Sequence, residues 1–328
     1  METALKHRNL IDLFNQSLAR VTPADKVCVE IIRADRHETL TFRQLQERAG
    51  SFATWLLHES GLNRGEKIAL VSKNRADWDV ALWGAILAGA IPVLIDPDRG
   101  PQGVISHLQA TDARGLILAD DYGDENARYE LSQFADAHKL CMVMMTDKPL
   151  CRTDVPDAEA LETVTQQTGL DDTAAILCTS GTTGDPREVE LTHRNLVANI
   201  QGTVQKINVT GADVLGHILP PHHSFGMTVG KFLPLAAGAT NIYTNKYRDV
   251  PDLIRERRIT IFIAIPALFT TLAKKLEDGI NRQKKEKWLV ALLDRYAPRY
   301  LGKQIRKKQG WTQLRFFLSG AAPMPRWV

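Results

Sequence analysis

The sequence predicts an α/β fold with largely parallel strands. Three observations predict it. Helix-period and strand-period segments alternate along most of the chain, the pattern of strands joined by crossover helices. The strand-like segments are short apolar runs, such as 91–95 and 115–119, which read as buried strands. Glycine-, proline- or hydroxyl-rich segments follow three of these runs directly, and open α/β sheets place ligands beyond the carboxyl ends of their strands.

The elements follow in order. Residues 42–59 read as a helix, with Leu45, Ala49, Phe52, Ala53 and Leu56 near one face. A strand is expected at 67–71, a helix at 78–88 and a strand at 91–95. The longest apolar run, Val80 to Ile95, has 16 residues and contains Gly84, Gly89 and Pro92. It is short for a membrane span and reads better as a buried helix followed by a strand. A helix at 104–111 and a strand at 115–119 come next. Residues 120–170 are polar and read as irregular, apart from a strand within 140–145. This stretch divides the chain into approximate subdomains 1–170 and 171–328. Beyond it, Thr192 is positioned to cap a helix reaching Lys206. Strands are expected at 214–219, 240–243, 259–265 and 314–318, with helices at 226–236 and 251–256.

The length of 328 residues fits two domains or one large one. Apolar residues make up 44% and charged residues 24%, ordinary for a globular protein. The N-terminus has no basic segment leading into an apolar one, so no secretory signal is read. The four cysteines, Cys28, Cys141, Cys151 and Cys178, show no metal-ligand spacing. A reducing, cytoplasmic setting is the default. Cys178 reads as a small buried hydrophobe.

Residues 174–195 carry the most chemistry. The apolar run Ala174 to Cys178 gives way to Thr179, Ser180, Gly181, Thr182, Thr183 and Gly184, then Pro186 and Arg187. Backbone N–H groups of such a loop can wrap an anion, with hydroxyl donors and an arginine adding to the grip. A polyphosphate suits it. An ordinary Gly/Ser/Thr surface loop is the plainer reading, which the following Pro-Arg and helix start disfavour. The spacing of Gly181 and Gly184 is not that of a Walker A loop.

Charge is uneven. Residues 274–308 hold twelve Lys/Arg and four Asp/Glu, a net of +8, although the whole chain carries only +3. Trp288, Leu289, Val290, Leu292, Leu293, Tyr296, Tyr300 and Leu301 are interleaved with them. This is a basic amphipathic segment. It reads either as a solvated helix packed on the domain or as a contact for an anionic membrane surface. No recognised nucleic-acid module accompanies it.

Two further motifs follow strands: Leu219-Pro220-Pro221-His222-His223-Ser224-Phe225-Gly226-Met227, and Ser319-Gly320-Ala321-Ala322-Pro323. With the hydroxyl loop, these resemble the adenylate-forming (AMP-binding) superfamily, most of all its long-chain fatty acyl-CoA synthetases. Thr41-Phe42, Leu45, Gly61, Gly65-Glu66-Lys67-Ile68-Ala69, Asn74 and Ala88-Gly89-Ala90-Ile91-Pro92 match as well, so the resemblance covers nearly the whole chain.

The resemblance implies a large N-terminal domain of stacked, mostly parallel sheets with flanking helices. It implies that Thr179 to Gly184 and Arg187 hold the ATP phosphates. Gly320, Ala321, Ala322 and Pro323 form the adenine turn. His223 is the active-site histidine near the acyl carboxylate and α-phosphate. Phe225 and Gly226 line the acyl path, and His222, less certain in role, stands beside them. The implied chemistry is ATP-dependent activation of a carboxylic acid to an acyl-adenylate, then to a CoA thioester. Mg2+ travels on the ATP, with no metal ligand assigned in the chain. The basic insertion between Leu272 and Trp311 points to a medium- or long-chain fatty acid. A ligase loading a carrier protein, and a non-catalytic nucleotide- or acyl-binding module, stand as alternatives.

Two positions depart from the pattern. Arg187 stands where lysine is usual, and Glu188 where glycine is usual; a carboxylate beside a triphosphate repels it unless it faces away or meets a cation. The later family motifs are absent, so the chain resembles a truncated N-terminal domain lacking its small C-terminal partner domain. Weak nucleotide binding and little turnover alone are expected of it, in a cytoplasmic setting with a peripheral membrane contact.

Overall fold

The computed structural model describes residues 5–153, 155–180, 186–281 and 298–325. The chain begins with helix α1 (Leu10–Ala19), strands β1 (Val27–Ile32) and β2 (His37–Thr41), and helix α2 (Phe42–His58). Next come β3 (Lys67–Val71), α3 (Ala76–Leu87), β4 (Ile91–Ile95), α4 (Pro101–Thr111), β5 (Gly115–Ala119), α5 (Glu125–Ala137), β6 (Cys141–Met145), α6 (Ala158–Gln167) and β7 (Thr173–Ser180). It continues through β8 (Pro186–Thr192), α7 (His193–Ile207), β9 (Val214–His217), α8 (Ser224–Met227), a π-helical turn (Thr228–Phe232), α9 (Leu233–Ala237) and β10 (Thr240–Thr244). The last elements are α10 (Val250–Glu256), β11 (Ile261–Ala264), α11 (Pro266–Asn281), α12 (Pro298–Gln309) and β12 (Phe316–Ser319).

The strands form two six-stranded sheets, ordered β6-β5-β3-β4-β7-β8 and β12-β11-β9-β10-β1-β2. Neighbours run parallel except β7–β8 and β1–β2, each at one sheet edge. This is the expected α/β fold. Its sheets interleave along the chain: β1 and β2 join strands from beyond residue 213, and β7 and β8 complete the sheet begun by β3. Residue 170 therefore does not separate one sheet from the other.

Helix α3 packs against β3 and β4 of one sheet and β1 and β2 of the other. Every residue from Ala76 to Leu87 is buried, which is why its sequence is apolar on all sides. Its two carboxylates are paired: Asp77 with Arg48, and Asp79 with Lys231 at 2.7 Å. Rings bind the layers together, with Trp83 of α3 at 4.5 Å from Phe14 and 5.0 Å from Phe232 between centroids.

Residues 120–170 are more ordered than expected. Helices α5 and α6 occupy much of the stretch, capped by Asp124 and Asp157, whose carboxylates accept from Ala127 and Ala160 N–H. Each helix has a narrow buried stripe, Leu131 and Ala135 in α5 and Val164 and Thr165 in α6; too few apolar residues mark it in the sequence. The strand expected at 140–145 is β6. The helix expected at 226–236 starts earlier, at Ser224, and holds the π turn. Thr192 caps α7 as expected, through a reciprocal pair with Asn195. Among the described residues no helix is long and apolar enough to cross a membrane.

Candidate active site

The carboxyl ends of β7 in one sheet and of β9, β11 and β12 in the other meet at a cavity of about 350 Å3. Leu177 and Cys178 reach it from β7, Leu219 to Gly226 from the segment after β9, Ile265 after β11, and Ala321 after β12. Parts of the second and third sequence motifs are thus brought to one place, beside the strand that leads into the hydroxyl loop. A larger cavity, about 530 Å3, lies beyond β3, β4 and β5 beside Lys73, Arg99 and Tyr122; none of the sequence-predicted site residues lines it.

The segment after β9 is held from both sides. His217 Nδ1 accepts from Leu219 N–H at 3.2 Å, and Asn74 Nδ2 donates to the Leu219 carbonyl at 3.1 Å. Pro220 and Pro221 lack the N–H groups that would extend the ladder. The chain then folds back so tightly that a Cβ on residue 226 would lie 1.8 Å from the Pro220 carbonyl oxygen; only glycine fits. His223 is the extended residue before the helical run 224–237 and is exposed. The first-turn N–H groups of Ser224, Phe225 and Gly226 have no acceptor within the helix, and they favour a negatively charged group beside His223.

Phe225 lies against the turn after β12. A Cβ on Gly320 would meet the Phe225 ring at 2.6 Å, so the bare glycine backbone and the ring form one surface. Ala321 has φ +67°, which turns the chain outward; Ala322 and Pro323 are exposed beyond it. Ser319 Oγ is buried and has no hydrogen-bond partner among the described residues.

The two histidines differ. His222 is buried, its ring 4.3 Å from that of His223, with Nε2 3.6 Å from Asp96 Oδ1. Burial, then the neighbouring His223, pushes its pKa well below the ordinary histidine value, so it is neutral near pH 7. His223 faces solvent at the cavity.

The hydroxyl loop differs from expectation at its start. Thr179 and Ser180 extend β7, paired with Arg187 and Pro186 of β8. The strand lasts two residues longer than the apolar run because β8, which the sequence reading did not assign, supplies a partner. Gly181, Thr182, Thr183 and Gly184 lie outside the described residues. Arg187 is exposed. Glu188, next in the strand, points to the other face and places Oε1 3.4 Å from His107 Nδ1 of α4. Cys178 opposes it in the ladder; burial, then the Glu188 charge, raises its thiol pKa to about 12, as suits a packing residue and not a nucleophile.

The sequence reading assigned no role to Asn74 or Asp96, and none to the Lys231–Asp79 pair beneath the helix that His223 opens. Lys231 alone offered a signal, as a lysine inside the apolar stretch 225–237 that must find a buried partner. Among the described residues no three or more His, Cys, Asp or Glu side chains converge to hold a metal ion.

Two mixed sheets with flanking helices and a cavity at their strand ends make this the fold of the N-terminal domain of adenylate-forming enzymes. The family model described as AMP-binding enzyme matches residues 16–328, and the chain belongs to that family. It is 27% identical over 298 residues to a long-chain-fatty-acid–CoA ligase of Escherichia coli O157:H7, covering 81% of this chain and 51% of the relative. It is 28% identical over 278 residues to 4-coumarate–CoA ligase 1 of Petroselinum crispum, covering 82% and 49%. ATP-bound MatB from Rhodopseudomonas palustris superposes with a TM-score of 0.71 at 22% identity, covering 96% of this chain and 56% of that one. The chain spans about half the length of these curated relatives.

Proposed function

We propose that the chain forms the nucleotide- and acid-binding part of an AMP-forming acid–thiol ligase acting on a medium- or long-chain fatty acid. The observation that carries this is the meeting of the segments after β9 and β12 with the strand leading into the hydroxyl loop at one cavity that His223 lines. Family membership and the curated fatty-acid–CoA ligases among its relatives support it.

The acid's carboxylate oxygen attacks the α-phosphorus of ATP. The bond to the bridging oxygen breaks, and pyrophosphate leaves with the electron pair. A thiol sulfur, that of CoA, then attacks the acyl carbon, loses its proton and expels AMP. Both steps build negative charge on oxygen, so alignment and charge stabilisation serve them better than a protein nucleophile. His223 and the first-turn N–H groups of its helix stabilise the carboxylate and α-phosphate. Arg187 and Thr179 to Gly184 hold the outer phosphates, and Gly320 to Pro323 the adenine. Phe225 and Gly226 border the acyl chain, with His222 behind them. Mg2+ belongs to the nucleotide's phosphates, and no protein ligand is assigned to it.

The chain spans about half the length of the curated relatives it matches, and we propose that full turnover belongs to a longer protein in which a further domain acts on the same site. The chain alone binds nucleotide weakly. The basic segment 274–308 is proposed to meet anionic lipid, which would bring the enzyme to a membrane-dissolved acid; its Trp288 and Tyr296 lie outside the described residues. Sedimentation with anionic but not neutral liposomes is expected, and equal binding to both would refute the electrostatic contact.

The direct test of function is ATP–pyrophosphate exchange by the longer protein with acids of graded chain length. Exchange that rises with chain length is expected. ATP binding without exchange for any acid would mark a non-catalytic module. Exchange followed by thioester formation on a carrier protein, but not on CoA, would mark a carrier-loading ligase.

A further inference from the structure

Strand β8 is an edge strand: it pairs with β7 and ends its sheet. It pairs antiparallel with β7 up to Ser180 and Pro186, and Arg187 is its second residue. One side chain of β8 reaches into α4, the helix packed on that face. Glu188 Oε1 lies 3.4 Å from His107 Nδ1. His107 is fully buried, and its Nε2 has no partner among the described residues. The charged groups facing the imidazole are Glu188 from β8 and Arg99 from the loop after β4. Glu188 is partly screened, at 25% side-chain exposure.

Strand alternation places Arg187 and Glu188 on opposite faces of β8. Arg187 shares its face with Val189 and Leu191, and Leu191 packs on the core between the sheets. Glu188 shares the face of Cys178, which belongs to the same buried cluster as Val104 and Leu108 of α4. The carboxylate is therefore directed off the face that carries the cation. A buried imidazole whose one hydrogen bond among the described residues runs to a neighbouring strand is a tie between two elements.

We infer that Glu188 and His107 form a clasp that pins edge strand β8 to α4, making Glu188 a positioning residue for the cation-bearing hairpin and not a charge opposed to the nucleotide. This rests on the functional reading above for its consequence, but not for its geometry. The two views of Glu188 predict opposite signs. If the carboxylate opposed the phosphates, Glu188→Gly would tighten ATP binding. If it clasps α4, Glu188→Gly loosens the hairpin and weakens binding, whereas Glu188→Gln keeps a hydrogen-bonding group at the same reach and rescues it.

Two measurements on the 328-residue chain separate these. Histidine-resolved NMR titration reads the clasp itself. Burial chiefly lowers the His107 pKa, and Glu188 raises it; removing the charge in Glu188→Gln should lower the His107 midpoint further. An unmoved midpoint overturns the clasp. Calorimetry with MgATP reads its consequence. The dissociation constant should rise about fivefold in Glu188→Gly and stay within about twofold in Glu188→Gln, at matched thermal midpoints. Tighter binding by Glu188→Gly overturns the positioning role, as does a Glu188→Gln variant as weak as Glu188→Gly. No MgATP binding by the unmodified chain would sink the functional reading and the positioning role together, while the titration still decides the clasp.

Discussion

His223 and Gly226 show how differently two neighbouring residues can matter. His223 is exposed at the helix start, its ring 4.3 Å from that of His222, and His223→Ala should change stability by no more than about 0.5 kcal/mol. It should cut pyrophosphate exchange by the longer protein roughly 100-fold or more, the usual cost of losing a group that stabilises charge. An unchanged exchange rate would remove His223 from the chemistry. Gly226 answers to geometry alone. Its absent Cβ leaves room for the Pro220 carbonyl, a backbone atom that no rotamer change can move. Gly226→Ala should destabilise by about 2 kcal/mol or more, read as a fall in the urea midpoint with an unchanged slope. The sequence made His223 legible through its motif. It could not distinguish His222 from His223 by environment, because burial under Asp96 and the ring of its neighbour depends on contacts from a distant strand.

At the scale of elements, buried polar pairs link what the sequence keeps apart. Lys231 sits in the π turn of the helical run that His223 opens. Its ammonium is buried, 2.7 Å from Asp79 of α3 and 5.4 Å from the Trp78 ring centroid. The π geometry leaves the Gly230 carbonyl to accept from Asn241 Nδ2 at 2.8 Å. Desolvation raises the Asp79 pKa even beside the ammonium, so the pair is weak support for stability but costly to break. Lys231→Met should destabilise by about 3–5 kcal/mol, and the double variant with Asp79→Leu should recover most of it. Chemical denaturation checks both; equal losses in single and double variants would show that the pair is not coupled. Elements with strong internal periodicity or apolar runs, such as α2, β3, β4 and β5, were legible from sequence. Helices α5 and α6 were not, because caps and a narrow stripe stabilise them where composition is polar. Strand β8 was not, because its pattern Arg-Glu-Val-Glu is that of an edge strand needing β7 to form.

At the scale of the whole molecule, buried neutral histidines set the response to acid. Burial holds His193 to about 4 and His217 to about 3. Both folded values lie below the unfolded value of about 6.5, so between them the unfolded chain binds more protons. Stability is therefore full above about pH 6.5 and falls as pH drops toward 4, by up to about 1.4 kcal/mol per pH unit for each group in that window. Urea midpoints from pH 7.5 to 4.5 should decline. His193→Gln should flatten the decline, and an unchanged slope would show that His193 is not titrating there. The interleaving of the two sheets is also a property of the whole molecule. Local pattern gave most strands, though not β1, β2 or β8, and long-range pairing decided that β1 and β2 join β10 while β7 and β8 join β4. Boundaries drawn along the sequence do not follow that pairing.

The cavity between these strand ends is proposed to bind the acyl-adenylate. The most direct measurement is a crystal structure of this chain with a non-hydrolysable acyl-sulfamoyl adenosine carrying a long alkyl chain. Adenine is expected against the Gly320–Pro323 turn, the sulfamoyl oxygens within hydrogen-bonding distance of His223, and the alkyl chain running past Phe225. Density for the analogue anywhere else in the molecule, with this cavity left to solvent, would contradict it.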